Sequence, residues 1–395
     1  MFTGKNLKPL MLAGHKHHVL YEDDAVIPGF YNWPKVWWTP NNFILWDDVI
    51  THDKIIQGNY NVIVGVLSRP ECLSFMSDSV QKSRQGFGHT YAKAEHPSLK
   101  KENLEGWSDT AKDLKNSLGI KMVAGVDYAI QMWHEIDTFT PAMLRKNLEP
   151  FDFIFVAEPT QGIALYELMN RKKDIYFMPH PTNTYAIKDM LKGHRTKSPT
   201  VRCLVHRYDL EWVMPTIATL RVPKVLASHD GKRTNVIFTC LEGHDQFLIQ
   251  LKSNGLQVEA GKKHTEWLKV LADTKVLVDS YHGIKTYGRT PTECACARTP
   301  CIGSDATFLQ GKLWPELTVK AYDVKKQSDL LERLLKYPKF YQDCVDFAYR
   351  EVEKVNYDNC LKYFLTMVNE KAELTKDYWN PEIKCSLQFK GGLNG

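Results

Sequence analysis

Short apolar runs alternate along most of the chain with longer segments in which apolar residues recur every three or four positions. These are the two periods that separate strand from helix. In the first half, YNVIVGVL (60–67), IKMVAGVDY (120–128), FDFIFVAEP (151–159) and DIYFMPHP (174–181) read as buried strands. Between the last two, QGIALYELMN (161–170) reads as a helix, and a first strand is expected just before GHKHH (14–18). Strands apolar throughout and separated by helices are the pattern of a parallel sheet covered on both faces. The polar stretch KGHRTKSPT (192–200) reads as a linker. Beyond it the alternation restarts, with VRCLVHRY (201–208), NVIFTCL (235–241) and KVLVDSY (275–281) as strands. LEWVMPTIATL (210–220), HDQFLIQLKSNG (244–255) and HTEWLKVLAD (264–273) read as helices. From QSDLLERLL (327–335) onward the chain is mostly helical, and the end reads as a tail.

The pattern and the length of 395 residues predict two doubly wound α/β domains, over 1–195 and 196–375, with a tail over 376–395. Ligands of such sheets sit at the carboxyl ends of the strands, so a cleft between the two sheets is the expected site. Composition adds little: 43% hydrophobic and 25% charged residues suit a globular protein. No run approaches the roughly 18 apolar residues of a membrane span. The N-terminal apolar run is too short and too flanked by His and Lys for a signal peptide. The nine cysteines form no CxxC pair and no zinc-finger spacing, which predicts reduced, buried thiols in a cytoplasmic protein. A net charge of +5 fits an anionic substrate or DNA without requiring either.

Candidate chemistry concentrates in GIKTYGRTPTECACARTPCIGSD (283–305). A glycine loop follows the strand KVLVDSY and opens a helix expected near Pro291. Gly288 allows a tight turn close to an anion, and Pro291 suits a first turn, where its missing N–H costs nothing. Free N–H groups and the helix dipole at that end favour phosphate. Glu293 is expected in the first turn, where its carboxylate would accept from a ribose diol. Removing it would then leave fold stability unchanged. Cys294-Ala295-Cys296-Ala297 would let the helix pack tightly on the sheet, and TPCIGSD (299–305) is the next strand, bringing Ser304 and Asp305 to the cleft.

From Gly288 onward this stretch resembles the nucleotide-sugar motif of retaining glycosyltransferases of the GT-B fold. The resemblance places Glu293 at the Glu that binds the ribose, and ARTPCIGSD (297–305) at the segment that follows, with Arg298 where glycine is usual. It departs at Lys285, where the family has the first Glu of the pair, Glu293 being the second. HRYDLEW (206–212) supplies Arg207 at the family's phosphate-binding Arg, but Trp212 at its Lys; Lys285 would then substitute as a cation. Lys262 falls in the loop beside the nucleotide base. The resemblance thus implies donor contacts from Arg207, Lys262, Lys285, Tyr287, Gly288, Arg289, Thr290 and Glu293. It implies a UDP-sugar donor and no other cofactor or metal. It also implies late helices that cross back to the first domain.

In the first half, VAGVDYA resembles the segment of phage DNA α-glucosyltransferases that carries a His-Asp pair, with Val126 at the His and Asp127 at the Asp. Asp127 at a strand end is the candidate base toward an acceptor hydroxyl, with His134 and Glu135 as alternatives and helix capping as the plain structural reading. Glu158 is expected to face the cleft. His15 and His18 in GHKHH, with Trp37 and Trp38 from the tryptophan cluster at 33–46, would form the acceptor wall. The function expected is sugar transfer from a nucleotide-sugar to a hydroxyl, with retention implied by the resemblance. A hydroxymethylated pyrimidine in DNA is the first acceptor. A cell-surface glycan or small molecule, a UDP-sugar epimerase of the same fold, and an inactive nucleotide-sugar- or DNA-binding protein are the rivals.

Overall fold

The computed structural model describes residues 9–13, 43–45, 62–67, 115–116, 119, 121–126, 145, 148–149, 151–170, 174–179, 181–194, 198–205, 235–240, 249, 251–253, 255–259, 262, 264–279 and 288–368. The apolar runs of the first half become one parallel six-stranded sheet. Its strands are β1 (Pro9–Ala13), β2 (Phe43–Leu45), β3 (Val62–Leu67), β4 (Lys121–Val126), β5 (Phe153–Val156) and β6 (Asp174–Phe177). The spatial order is β2-β1-β3-β4-β5-β6, so the order reverses between β1 and β3. Phe153 stands opposite Val123 on one side and Asp174 on the other. β2 lies inside the tryptophan cluster, where the pattern predicts no strand; three residues are too few to show a period.

Helix α1 (Pro159–Leu168) follows β5. Pro159 opens it, and the Glu158 carboxylate caps it, accepting from the Gln161 N–H at 2.9 Å and from the Thr160 hydroxyl at 2.9 Å. Glu158 is therefore a buried cap, and the expectation that it faces a cleft is corrected. A carboxylate next to a helix start satisfies orphan N–H groups before it can serve a ligand.

The second sheet is also parallel and six-stranded, with β7 (Thr200–Val205), β8 (Asn235–Cys240), β9 (Val258–Glu259), β10 (Val276–Asp279), β11 (Cys301–Ser304) and β12 (Thr318–Val319). Its order, β12-β11-β10-β7-β8-β9, is the 3-2-1-4-5-6 arrangement of a dinucleotide fold read from the other edge. β10 and β11 are buried at every position, as strands covered on both faces must be. Helices of this unit include α2 (Thr184–Met190), α3 (His264–Asp273), α4 (Arg289–Cys296), α5 (Phe308–Leu313), α6 (Val324–Lys336) and α7 (Pro338–Glu351). A last helix, α8 (Tyr357–Val368), follows.

The chain divides into one unit of residues 1–181 with 357–395 and another of 182–356. Side-chain chemistry explains why this differs from the expected boundary at 195/196. The Lys188 ammonium on α2 pairs with Glu353 and donates to the Tyr349 carbonyl at 3.0 Å, and the Thr184 hydroxyl donates to Glu353 at 3.0 Å. These contacts tie α2 to the second unit. α8 instead returns to the first unit, where Phe364 packs on Phe155 with ring centroids 5.5 Å apart. Both phenylalanines are completely buried. Among the described residues, no helix is long and apolar enough to cross a membrane.

Candidate functional site

The second sheet reverses its order between β7 and β10, and the carboxyl ends of those strands are where such a sheet receives ligands. The chain leaves β10 at Asp279 and enters α4 through Gly288. Gly288 has φ +91°, and a Cβ there would lie 1.9 Å from Cγ2 of Thr307. Both the left-handed backbone and the close approach of Thr307 demand glycine. The space is filled by Thr307, so the close approach expected of Gly288 is first of all to the protein itself.

α4 begins at Arg289, two residues before the expected start, so Pro291 falls within the first turn and Glu293 just past it. Gly288 supplies no side-chain cap, which leaves the positive end of the helix dipole uncapped by its own N-cap residue. Residues 290–296 are all buried, and the small residues expected to permit tight packing do so. Trp314, also buried, donates its indole N–H to the Pro291 carbonyl at 3.0 Å.

Glu293 is 1% exposed, and its carboxylate faces three partners. Oε1 receives Nε2 of His264 at 2.8 Å and lies 3.0 Å from Nε of Arg289, one turn earlier. Oε2 accepts the indole N–H of Trp267 at 3.0 Å. An ionised carboxylate only accepts, so Nε2 of His264 carries the proton. Nδ1 of His264 is buried with no hydrogen-bond partner. Burial alone would raise the Glu293 carboxyl. The charges of Arg289 and His264 and the hydrogen bonds from His264 and Trp267 outweigh it and hold the group down at about 2. A carboxylate has about four acceptor positions, and these donors occupy three of them.

α4 closes on a Schellman motif. The N–H of Thr299 bonds to the Cys294 carbonyl at 2.9 Å and that of Arg298 to Ala295 at 3.2 Å. Arg298 occupies the left-handed position with φ +55°. Glycine is the unstrained residue there, and a side chain costs about 1 kcal/mol. The position at which the sequence departs from glycine is thus one with a backbone reason for glycine.

Of the remaining donor residues, Thr290 is buried and Lys262 is exposed two residues before α3. Arg289 is partly exposed, its side chain 43% accessible. Asp127, His134, Arg207, Lys285, Tyr287, His15, His18, Trp37 and Trp38 lie outside the described residues, as do Trp212 and Glu135. Cys203, Cys294, Cys296, Cys301, Cys344 and Cys360 are buried thiols outside any disulfide. Burial pushes the thiols of Cys203, Cys296 and Cys301 far up.

Sequence reasoning missed His264 and Trp267. Their segment was legible as a helix, and the signal lay in it: a histidine and a tryptophan three positions apart on the face that also carries Leu268 and Leu271. A polar group on the buried stripe of an amphipathic helix needs a partner, and here it is Glu293.

No family model and no curated protein matches the sequence. Solved structures do match the fold. A UDP-forming α,α-trehalose-phosphate synthase from Burkholderia xenovorans aligns over 93% of this chain and 100% of its own, with TM-score 0.57 and 10% identity. An α-glucosyltransferase in complex with UDP and a 13-mer DNA containing an HMU base aligns over 92% of this chain and 99% of its own, with TM-score 0.55 and 10% identity. A sucrose-phosphate synthase from Thermosynechococcus elongatus aligns over 80% and 75%, with TM-score 0.54 and 14% identity. With two parallel, doubly wound sheets and these neighbours, the chain has the GT-B fold of glycosyltransferases.

Proposed function

We propose that this protein is a glycosyltransferase that moves a sugar from a UDP-sugar to a hydroxyl acceptor with retention. The observation that carries the reading is the cluster at the start of α4. A glycine-only turn, an uncapped helix start and an arginine fixed by a buried, ionised Glu293 follow the switch-point strand of a GT-B second unit. Transfer leaves a nucleoside diphosphate whose charge must be met as the glycosidic bond breaks. Fixed backbone N–H groups and a held guanidinium meet it without reorganising. Arg207 and Lys285 are assigned to the same diphosphate. Glu293 orients Arg289 and His264 and offers an acceptor position to the ribose.

For the acceptor, a hydroxymethylated pyrimidine in DNA is supported by the net charge of +5, the tryptophan cluster, and the likeness to a glucosyltransferase solved with an HMU-containing DNA. A flipped base needs aromatic walls and a cationic rim. Small-molecule acceptors are supported by the likeness to trehalose- and sucrose-phosphate synthases. Asp127, next in sequence after β4, is assigned as the base in either case.

The test is incubation with a panel of nucleotide sugars and either hydroxymethylated DNA or sugar phosphates, with mass spectrometry of digested nucleosides and of the small-molecule fraction. A glycosylated nucleoside selects the DNA acceptor, and a glycosylated sugar phosphate selects the other. Nucleotide binding with neither transfer nor donor hydrolysis overturns the enzyme reading in favour of a binding protein.

A further inference from the structure

At the carboxyl end of α4, about 12 Å along the helix from Gly288, the second unit holds a cavity of about 430 Å³. It lies between the last turn of α4, the carboxyl end of α2 and one face of α7. The volume is that of a small-molecule site. Lys188, Lys192 and Arg298 line it together with Tyr341, Gln342 and Tyr349, and none of its lining side chains is acidic. The ring of Tyr349 lies 3.7 Å from the Lys188 ammonium and 4.7 Å from the Arg298 guanidinium.

Each cation has a carboxylate neighbour, but the pairs differ in kind. Lys188 is largely buried against Glu353, and that pair is structural. Arg298 donates to Asp346 at 2.6 Å with both side chains about half exposed, and Lys192 pairs with Asp189 with both side chains largely exposed. Exposed pairs of this kind contribute little net stability, so an incoming anion can exchange with the carboxylates. Arg298, moreover, keeps a left-handed backbone at which glycine would be unstrained. Backbone strain held in place beside a cavity points to a use for the side chain that causes it.

We infer that this cavity binds a sugar phosphate, with the phosphate held by Arg298 and Lys192 and the sugar against the tyrosine rings. A guanidinium fork matches phosphate oxygens two at a time, and Lys192 adds a point charge. Gln342, whose Nε2 donates to Asp346 at 2.8 Å, offers its amide oxygen to sugar hydroxyls. The site is separate from the donor site at the other end of α4 and does not depend on which acceptor the enzyme uses.

The test is calorimetric titration with a hexose 6-phosphate and with inorganic phosphate, in the presence of saturating UDP, on the wild type, Arg298→Gly and Lys192→Met. The wild type should bind the sugar phosphate more tightly than inorganic phosphate. Arg298→Gly should bind it roughly tenfold more weakly or worse, the loss expected for a charge-assisted contact. It should melt at or above the wild-type temperature, because glycine takes the left-handed position freely. Its UDP affinity should be unchanged. Lys192→Met, at an exposed pair, should also weaken binding and gives an independent reading if Arg298→Gly does not fold. Equal sugar-phosphate affinity in the wild type and both variants, no binding by the wild type at millimolar ligand, or a parallel loss of UDP affinity in Arg298→Gly overturns the inference. Equal wild-type affinity for inorganic phosphate overturns the part given to the rings.

Discussion

Replacing Glu293 by glutamine keeps the shape of the side chain and removes its charge. The structure makes this costly. Oε1 faces His264 and Arg289, and Oε2 faces Trp267. An amide has one acceptor oxygen and one donor nitrogen. Whichever way it turns, its NH₂ meets either the indole N–H of Trp267 or the donors of His264 and Arg289, and a buried donor is orphaned. The carboxyl is held at about 2, against 4.5 for a free one, despite burial that by itself would raise it. That difference corresponds to about 3 kcal/mol of stability at neutral pH. For a unit of this size, Glu293→Gln should lower the melting temperature by roughly 6–12 °C. The sign with pH follows from a folded-state value below the unfolded one. The stabilisation is complete above about pH 4.5 and is lost as pH falls toward 2, so the gap between wild type and variant should close across that window. Thermal denaturation by circular dichroism at pH 7, 5, 4 and 2.5 measures it. A variant melting within about 2 °C of wild type at pH 7, or a gap unchanged at pH 2.5, refutes the reasoning. The sequence-based expectation that Glu293 could be lost without cost to the fold is corrected by these contacts.

Gly288→Ala must force a Cβ into Thr307 at 1.9 Å and hold alanine at φ +91°, so urea denaturation should show a loss of roughly 2–4 kcal/mol. Phe364→Ala should cost about 3–5 kcal/mol, because its ring fills a completely buried site against Phe155 in the first unit; the same urea assay reads it. Asp127→Asn should keep donor binding in calorimetry while transfer falls roughly 10²–10⁴-fold, the contribution of a general base; near wild-type transfer at saturating substrates removes it from the site.

The sequence by itself determined what depends on local physics. Runs such as FDFIFVAEP and KVLVDSY have unbroken apolar centres, FIFV and VLV, because both faces of a parallel strand are covered, and they announced an α/β fold without reference to any partner. Gly288 was legible as a turn and Cys294–Ala297 as a tightly packed helix, since backbone freedom and side-chain size are properties of the residues themselves. The tertiary structure alone decided what depends on groups distant along the chain. The order of the strands, and with it the switch point beside β10, arises from pairings between segments far apart, such as Val276 opposite Val201. The return of α8 to the first unit and the attachment of α2 to the second follow from where Phe364 and Lys188 find their contacts. Glu293 carries the clearest case. Its position in the motif suggested a carboxylate open to a ligand. His264 and Trp267, 29 and 26 residues earlier, hold it in place, because a buried charge must be paired where it sits and the helix that can pair it is brought there only by the fold.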